Sequence, residues 1–415
     1  MVAVAAKARD RQLRSRRRPA TSDIVTTILA TIELGLRFGH VAHLAPLARG
    51  LARRGVKTAL ATRDVITASA VSDRPFAAIL QAPVYPRAVP QVPTLTYAQV
   101  VADAGLADVD HATALVAAWL QLFDGVRPDA VASEFAPVSL LAAHVAGLKC
   151  VRTSSAWAVP PGVRPLPSLT PWLPDDPGAR ADAGATADAV VAEVCRRFAA
   201  PPLDGLSELL AATPRFLHTW PEMDHHGARA GEVYYGPMTG LGSAVRVAWP
   251  RAPGPRVFVY LPADHHGAAP LAAALARLGW PAVWYAGGAY PTGLAANVTV
   301  PGQPLDLDHM LAEAAILVGR GGHATGCEAL RHGCAQLIMP DTLETTLVGW
   351  RLARLGLGTI LDAPTTDAVE AALIALTEDS RVAAATAGAQ ARYATYDPVR
   401  AEDQLARDVC AALSL

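Results

Sequence analysis

The chain has 415 residues, of which 52% are hydrophobic, and a formal net charge of −1. This length exceeds what one hydrophobic core usually organises, so we expect two domains. The apolar content excludes a disordered chain, and the lack of excess positive charge argues against a nucleic-acid partner.

Two further properties concern where the protein acts. The five cysteines are scattered and form no C-x-x-C pair, which argues against a disulfide framework or a zinc knuckle and favours a cytoplasmic location. Prolines and glycines interrupt the longest uncharged stretch, residues 278–305, so we expect no integral membrane segment. Residues 1–22 hold seven Lys or Arg and are predicted to form a disordered basic arm.

Beyond this arm, strand and helix patterns alternate. VTTILATIEL, which begins at Val25, predicts a strand, the helically spaced leucines after it predict a helix, and KTALAT predicts the next strand. RPDAVAS and LKCVRTS predict two more strands around a helix over residues 137–146. The alternation indicates a Rossmann-like, doubly wound N-terminal domain over residues 23–220.

Two segments of this domain are candidates for binding an acceptor. Seven prolines between Pro160 and Pro177 predict a long loop, and such a loop in a compact domain is often functional. A helical pattern from Tyr97 to Phe123 could line the same pocket, although its apolar side chains suit a core equally well. Residues 221–255, rich in Gly and Pro, are predicted to connect the two domains.

The alternation restarts with RVFVYL and continues through AVWYA, NVTV, AILV, QLIMP and TIL. It predicts a second Rossmann-like domain over residues 256–395 and a helix over residues 396–415 that could pack back on the first domain. Ligands of open α/β sheets bind beyond the carboxyl ends of the strands. We therefore expect two domains that face each other across a cleft, with functional residues in the strand-end loops.

The most informative loop is GRGGHATGCEAL, residues 319–330, which follows the strand AILV and begins a helix. Gly321 and Gly322 permit a tight turn and close approach of a ligand, and the free N–H groups at a helix N-terminus suit a diphosphate. Glu328 lies one turn into that helix, where it could accept hydrogen bonds from ribose hydroxyls. The spacing is not G-x-G-x-x-G, which disfavours a nicotinamide or flavin cofactor.

The region from this loop to PDTLETT resembles the donor-binding signature of GT-B fold UDP-glycosyltransferases, of family 1 or macrolide-glycosyltransferase type. That signature is usually written HGGxGTxxEAL and continues with a proline and an acidic-Gln pair. The resemblance implies a nucleoside-diphosphate sugar, with UDP or TDP, as donor substrate, and neither a cofactor nor a metal. It assigns donor binding to Arg320, Gly321, Gly322, His323, Thr325, Glu328, Glu344 and Thr345.

Two N-terminal motifs carry the same resemblance. FGHVAHLAPLARGLARRG, residues 38–55, is similar to GHVNPxxxLAxxLxxRG and places His40 on the histidine that implies a general base. RPDAVASE, residues 127–134, is similar to RPDLVVxD and places Glu134 where a carboxylate orients that histidine. His43 is the rival base, and we predict that it lines the acceptor side.

The resemblance implies GT-B architecture and inverting transfer of a sugar to a small-molecule acceptor, such as a natural product or a lipid-like compound. His40 would take the proton of the acceptor, because imidazole titrates near neutral pH, and Glu134 would fix the tautomer of its ring. We leave a homodimer open.

Three residues depart from the family signature. Arg320 replaces its first histidine and brings a permanent charge, while Ala324 replaces its third glycine beside His323, which could assist the phosphates. Thr345 replaces the glutamine of the acidic-Gln pair and is too short to reach the same sugar hydroxyls. The donor sugar therefore stays open.

Two rival functions fit the same fold. A UDP-sugar 2-epimerase-like enzyme would need paired acid/base carboxylates, and a non-catalytic glycosyltransferase-like auxiliary protein would explain the changes at Arg320 and Thr345. The two DHHG segments, residues 224–227 and 264–267, are not predicted to chelate a metal, because adjacent side chains of an extended chain point in opposite directions. His265 or His266 of the second segment could lie near the diphosphate.

Overall fold

A computed structural model of the protein describes residues 26–35, 38–70, 75–85, 94–238 and 245–415. The predicted basic arm lies outside the described residues. Contacts divide the chain into two compact units: unit 1 comprises Met1–His218, Arg229–Leu241 and Pro398–Leu415, and unit 2 comprises Thr219–Ala228 and Gly242–Asp397. The chain therefore passes between the units more than once. The boundaries drawn from the sequence place a connection at residues 221–255 and allow the helix over residues 396–415 to pack back on the first domain. Those boundaries stay a prediction.

Unit 1 is built on a parallel sheet in the order β3-β2-β1-β4-β5-β6. Its strands are β1 (Thr27–Ile32), β2 (Lys57–Thr62), β3 (Ala78–Gln81), β4 (Ala130–Glu134), β5 (Lys149–Ser154) and β6 (Arg215–Leu217). Its helices include α1 (Phe38–Ala52), α2 (Val65–Ser69), α3 (Tyr97–Val101), α4 (Val109–Val126), α5 (Pro137–Ala146), α6 (Pro177–Arg197) and α7 (Leu206–Ala212). The central strands are buried on both faces, as is usual for parallel sheets with helices on each side.

Unit 2 is built on a second parallel sheet, in the order β12-β11-β10-β7-β8-β9. Its strands are β7 (Val257–Tyr260), β8 (Ala282–Tyr285), β9 (Val298–Thr299), β10 (Ile316–Gly319), β11 (Ala335–Ile338) and β12 (Gly358–Ile360). Its helices are α8 (Ala268–Leu278), α9 (Leu307–Glu313), α10 (His323–Arg331), α11 (Leu343–Arg354), α12 (Thr366–Glu378) and α13 (Ser380–Tyr393), with a short 3-10 turn at Pro221–Met223. The last helix of the chain, α14 (Pro398–Leu413), returns to unit 1 and packs against α1.

Both sheets have the strand order of a Rossmann fold, so the predicted α/β fold class with two doubly wound sheets is confirmed. The order reverses between β1 and β4 in unit 1 and between β7 and β10 in unit 2. Glu134 ends β4 beside Ile32 of β1, and Gly319 ends β10 beside Tyr260 of β7. Because ligands bind at such topological switch points, both strand ends are candidate sites.

The structure differs from the sequence prediction at three elements. Strands β3 and β6, of four and three residues, were not predicted. The helical pattern from Tyr97 to Phe123 is broken by a one-turn π-helix in which Gly105 has φ 106°, and α4 starts anew after the N-cap Asp108. Within α4, Trp119 and Phe123 are buried core residues.

In the part of the chain that the structure describes, no helix combines the length and the apolar character needed to cross a membrane.

Candidate active site

The switch point of unit 1 brings His40 and Glu134 together. His40 lies in the first turn of α1, and its Nδ1 is 2.9 Å from Glu134 Oε1 and 3.1 Å from Glu134 Oε2. The Glu134 side chain is 0% exposed, whereas the His40 side chain is 19% exposed. The pair therefore has a buried carboxylate behind an imidazole that reaches solvent.

Two neighbouring residues hold the His40 ring in place. Phe135 follows Glu134 in the left-handed region, at φ 47°, and its ring stacks on His40 with 5.7 Å between centroids. Such a backbone conformation is strained for a bulky residue and is often found at functional sites. A Cβ atom added to Gly35 would lie 2.2 Å from His40 Cγ. Only glycine at that position therefore leaves room for the ring.

The charge of Glu134 determines which nitrogen of His40 carries a proton. Burial alone raises the pKa of Glu134, but His40 and then His43 outweigh it and lower this pKa to about 2. The ionised carboxylate can only accept hydrogen bonds, so the neutral His40 ring donates through Nδ1. Its Nε2 then carries the lone pair, which is the form that a general base needs.

His43, the predicted acceptor-side residue, also approaches this carboxylate but lies deeper in the unit. Its Nδ1 is 3.5 Å from Glu134 Oε1 and 3.3 Å from the hydroxyl of Ser154 at the end of β5. Ser154 Oγ in turn donates to Glu134 Oε1 at 2.5 Å. Sequence reasoning missed Ser154, although its position at the end of a predicted strand was a signal that could have found it.

The glycine-rich loop of unit 2 follows β10 at the second switch point. Gly321 has φ 91°, and a Cβ atom there would lie 2.9 Å from Ile338 Cγ2. Gly322, the N-cap of α10, has an ordinary φ of −61°, and a Cβ atom there would meet nothing within 4 Å. Gly321 is thus required by the fold, whereas Gly322 leaves open space in front of the helix N-terminus.

A small pocket at this loop is lined by residues that include Gly321, Gly322, Arg320 and Thr325. Arg320 Nη1 lies 2.9 Å from Asp341 Oδ2, and the two side chains are 32% and 30% exposed. This cation, the glycine backbone and the start of α10 form a group suited to an anionic ligand. Asp341 is a second residue that sequence reasoning missed.

The structure buries the side chain of His323 in unit 2, and its predicted contact with the phosphates stays a prediction. The Nε2 of His323 lies 2.7 Å from Thr219 Oγ1 and 3.7 Å from Cys327 Sγ. The ring also stacks on His225, with 5.6 Å between centroids. His323 therefore packs in the interior of unit 2, since the first residue of α10 turns its side chain toward the core.

The three remaining donor-site predictions have their own partners in unit 2. Thr345 is the N3 residue of the capping box of α11, whose N-cap is Thr342: its hydroxyl accepts from the N–H groups of Asp341 and Thr342 at 3.2 and 3.0 Å. Glu328 is buried and paired with Arg331, 2.9 Å from Oε2 to Nε. Burial raises the pKa of Glu328, and Arg331 opposes that rise. Glu344, in the first turn of α11, is 31% exposed.

The second DHHG segment follows β7 at the same switch point. His265 is buried, and its Nδ1 accepts from Gly267 N at 3.0 Å. Burial, followed by neighbouring His266, lowers the pKa of His265, and the charges of Asp341 and Arg320 also act on it. His265 therefore lies within electrostatic reach of the glycine-rich loop.

Several solved structures of glycosyltransferases are similar to this chain. The calicheamicin glycosyltransferase CalG4 is 19% identical, with a TM-score of 0.66 over 95% of this chain and 99% of its own. SnogD, a glycosyltransferase from Streptomyces nogalater, is 18% identical, with a TM-score of 0.60 over 94% of this chain and 100% of its own. The spinosyn rhamnosyltransferase SpnG, complexed with thymidine diphosphate, is 20% identical, with a TM-score of 0.59 over 92% of this chain and 100% of its own.

This chain has the GT-B fold. No protein-family model matches the sequence, and no curated protein matches it. The similarity is therefore one of tertiary structure, and it extends over nearly the whole length of these proteins.

Among the residues that the structure describes, two side-chain groups are also close enough to surround a cation. In His40, His43 and Glu134, and again in Asp308, Glu328 and His332, the nitrogen and carboxylate oxygen atoms lie within 4.8 Å of one another. In the first group the Nδ1 of His40 faces the carboxylate in a hydrogen bond. The expectation that the protein needs no metal stays a prediction.

Proposed function

We propose that this protein is an inverting glycosyltransferase that moves a sugar from a nucleoside-diphosphate sugar to a small-molecule acceptor. The observation that carries the proposal is the 2.9 Å hydrogen bond between His40 and the fully buried Glu134 at the switch point of unit 1. A partly exposed imidazole that is oriented by an ionised carboxylate is the arrangement of a general base.

In this reaction a hydroxyl oxygen of the acceptor attacks the anomeric carbon of the donor sugar. The new C–O bond forms while the bond from that carbon to the diphosphate oxygen breaks, and the electron pair leaves with the diphosphate. The proton of the hydroxyl passes to His40 Nε2, and Glu134 stabilises the imidazolium through Nδ1. General base catalysis of this kind contributes about 10²- to 10⁴-fold in rate. Attack opposite the leaving group inverts the anomeric centre.

Unit 2 would hold the donor. The open space before Gly322, the N-terminus of α10 and the Arg320 guanidinium are all suited to a diphosphate. The SpnG structure contains thymidine diphosphate, which supports TDP beside UDP as the nucleotide to test. The acceptors of the similar proteins also favour a natural product, since CalG4 is a calicheamicin glycosyltransferase.

The proposal can be tested with purified protein, a panel of UDP- and TDP-sugars and a panel of apolar compounds that carry hydroxyl groups. We expect one combination to release nucleoside diphosphate and to raise the acceptor mass by one glycosyl unit, with inverted configuration in the NMR spectrum of the product. Epimerisation of the sugar nucleotide without transfer would favour the 2-epimerase alternative. Nucleotide binding without turnover across the panel would favour the auxiliary protein.

A further inference from the structure

A chain of hydrogen bonds links the second histidine of α1 to the same buried carboxylate. It consists of His43, Ser154 and Glu134, which come from α1, β5 and β4. We propose that Ser154 is a positioning residue: it connects His43 to Glu134, so that one carboxylate fixes the ring tautomers of both His40 and His43. The inference rests on the proposed function only where it concerns turnover.

The distances identify Ser154 as the connecting group. Ser154 Oγ lies 2.5 Å from Glu134 Oε1 and 3.3 Å from His43 Nδ1, whereas the direct distance from His43 Nδ1 to Glu134 Oε1 is 3.5 Å. A direct hydrogen bond is weak at that length. Ser154 and Glu134 are both fully buried, and His43 is 8% exposed. Buried polar atoms are usually hydrogen-bonded, and these distances identify Ser154 as a partner of both Glu134 and His43.

The number of available protons determines which group donates and which accepts in each of these hydrogen bonds. A carboxylate has only acceptor sites, and a serine hydroxyl has one proton and two lone pairs. Ser154 therefore donates its proton to Glu134 and accepts from the Nδ1–H of His43. His40 donates its own Nδ1–H to the same carboxylate. In both neutral rings the lone pair consequently lies on Nε2.

The surroundings of Glu134 support an ionised carboxylate. The titratable groups that act on it or respond to it are His40 and His43 of α1, His218 after β6 and Tyr97 of α3. Burial raises the pKa of Tyr97 and lowers that of His218, so both of these groups are neutral at physiological pH. The two histidines of α1 are thus the groups that share the negative charge.

The two histidines therefore contact the charge of Glu134 in different ways. His40 contacts the negative charge directly, so its imidazolium is stabilised when it takes a proton. His43 contacts that charge through the neutral hydroxyl of Ser154. His40 is therefore suited to be the base.

The test uses ¹⁵N-histidine-labelled protein and long-range ¹H–¹⁵N spectra, which report the tautomer of each ring without any substrate. Signals are assigned from those lost in His40→Gln and His43→Gln. We expect both rings to be Nδ1–H tautomers in the unmodified protein. In Ser154→Ala the Nδ1–H form of the His43 ring should lose population to the Nε2–H form, while His40 keeps its tautomer. Ser139→Ala, which removes a buried hydroxyl of α5, should change neither.

An Nε2–H tautomer of His43 in the unmodified protein overturns the inference, even if Ser154→Ala does not fold. So does an unchanged population of His43 tautomers in Ser154→Ala. Ser154→Thr keeps the hydroxyl and should keep both Nδ1–H forms.

Turnover provides a second measurement. With any donor and acceptor that react, Ser154→Ala should lower kcat about tenfold, since a hydrogen bond to a buried charge is lost, and should leave the donor KM within about twofold. Ser154→Thr should restore kcat. An unchanged kcat beside a changed tautomer would overturn the positioning role. Absence of turnover in the unmodified protein would contradict the proposed function, and the spectra would still decide the tautomers.

Discussion

The two switch points of this protein have the same strand order but opposite chemical character. In unit 1 the strand end carries a buried charge, Glu134, with His40 and His43 around it. In unit 2 the strand end continues into glycines, and its polarity comes from backbone N–H groups and one half-exposed arginine. The difference shows how one topology supports two tasks, because a charged pair can move a proton whereas an open helix N-terminus can hold an anion.

The largest expected effect comes from removing the imidazole at the first switch point. In His40→Ala, transfer should fall about 10²- to 10⁴-fold because no group then takes the acceptor proton, while the second switch point keeps its nucleotide affinity. Single-turnover assays and titration with UDP and TDP measure the two quantities. His144→Ala, a histidine of α5 in the same unit, should keep full activity. Full turnover of His40→Ala would refute the base assignment.

A smaller effect separates the two glycines at the second switch point. Gly322→Ala should fold normally, since a Cβ there meets no atom within 4 Å, but it should weaken nucleotide binding about tenfold by filling the space of the ligand. Gly321→Ala should instead destabilise the fold by about 1–3 kcal/mol, because of its positive φ and the contact with Ile338. Chemical denaturation and nucleotide titration of both variants distinguish these outcomes. Equal stability losses in both would contradict the comparison.

The next effect concerns the cation of the second switch point. Arg320→Ala should raise the nucleotide Kd about three- to tenfold, because a half-exposed guanidinium contributes modestly to binding a diphosphate. Arg277→Ala is a suitable control, since it removes an arginine of α8 in the same unit that pairs with Asp367. Calorimetric titration at two salt concentrations should show a weaker salt dependence for Arg320→Ala alone. An unchanged affinity would exclude Arg320 from the anion site.

The smallest expected effect concerns His218, a buried histidine near the first switch point. Burial and then His43 lower the pKa of His218 from 6.5 to about 3. Between pH 6.5 and about 3, His218 binds a proton in the unfolded chain but not in the folded protein. The free energy of unfolding therefore falls as the pH decreases. From pH 7 to pH 6 this histidine should remove about 0.7 kcal/mol of unfolding free energy. His218→Asn should lack that part of the slope in urea denaturation, and an identical slope in both proteins would show that His218 titrates normally.

Much of the fold was accessible from the sequence because its strands are short apolar runs between helical patterns. The runs around β1, β4, β7 and β10 predicted the centres of both sheets. The edge strands β3 and β6 were missed, whereas the edge strands β9 and β12 were predicted from the runs NVTV and TIL. The break at Gly105 was missed as well; its φ is positive, and a Cβ atom there would lie 2.6 Å from Leu115 Cδ1.

The site was predictable to a different extent in the two units. His40 and Glu134 are 94 residues apart, and matching motifs placed them together before the structure did. The motif for the second switch point assigned His323 and Thr345 to the donor, yet the structure gives His323 a place in the core and Thr345 a helix-capping role. A motif specifies which residues occupy a loop, and it does not specify the direction of each side chain.

The sequence by itself determined two doubly wound sheets, the glycine loop before a helix, and a histidine that follows the first strand. These features depend on local periodicity and residue type, which act between near neighbours in the chain. Only the tertiary structure decided that Glu134 is fully buried, that Ser154 lies between it and His43, and that Arg320 pairs with Asp341. Burial and hydrogen-bond partners arise when distant strands pair and exclude water, and those interactions set the charge of each group.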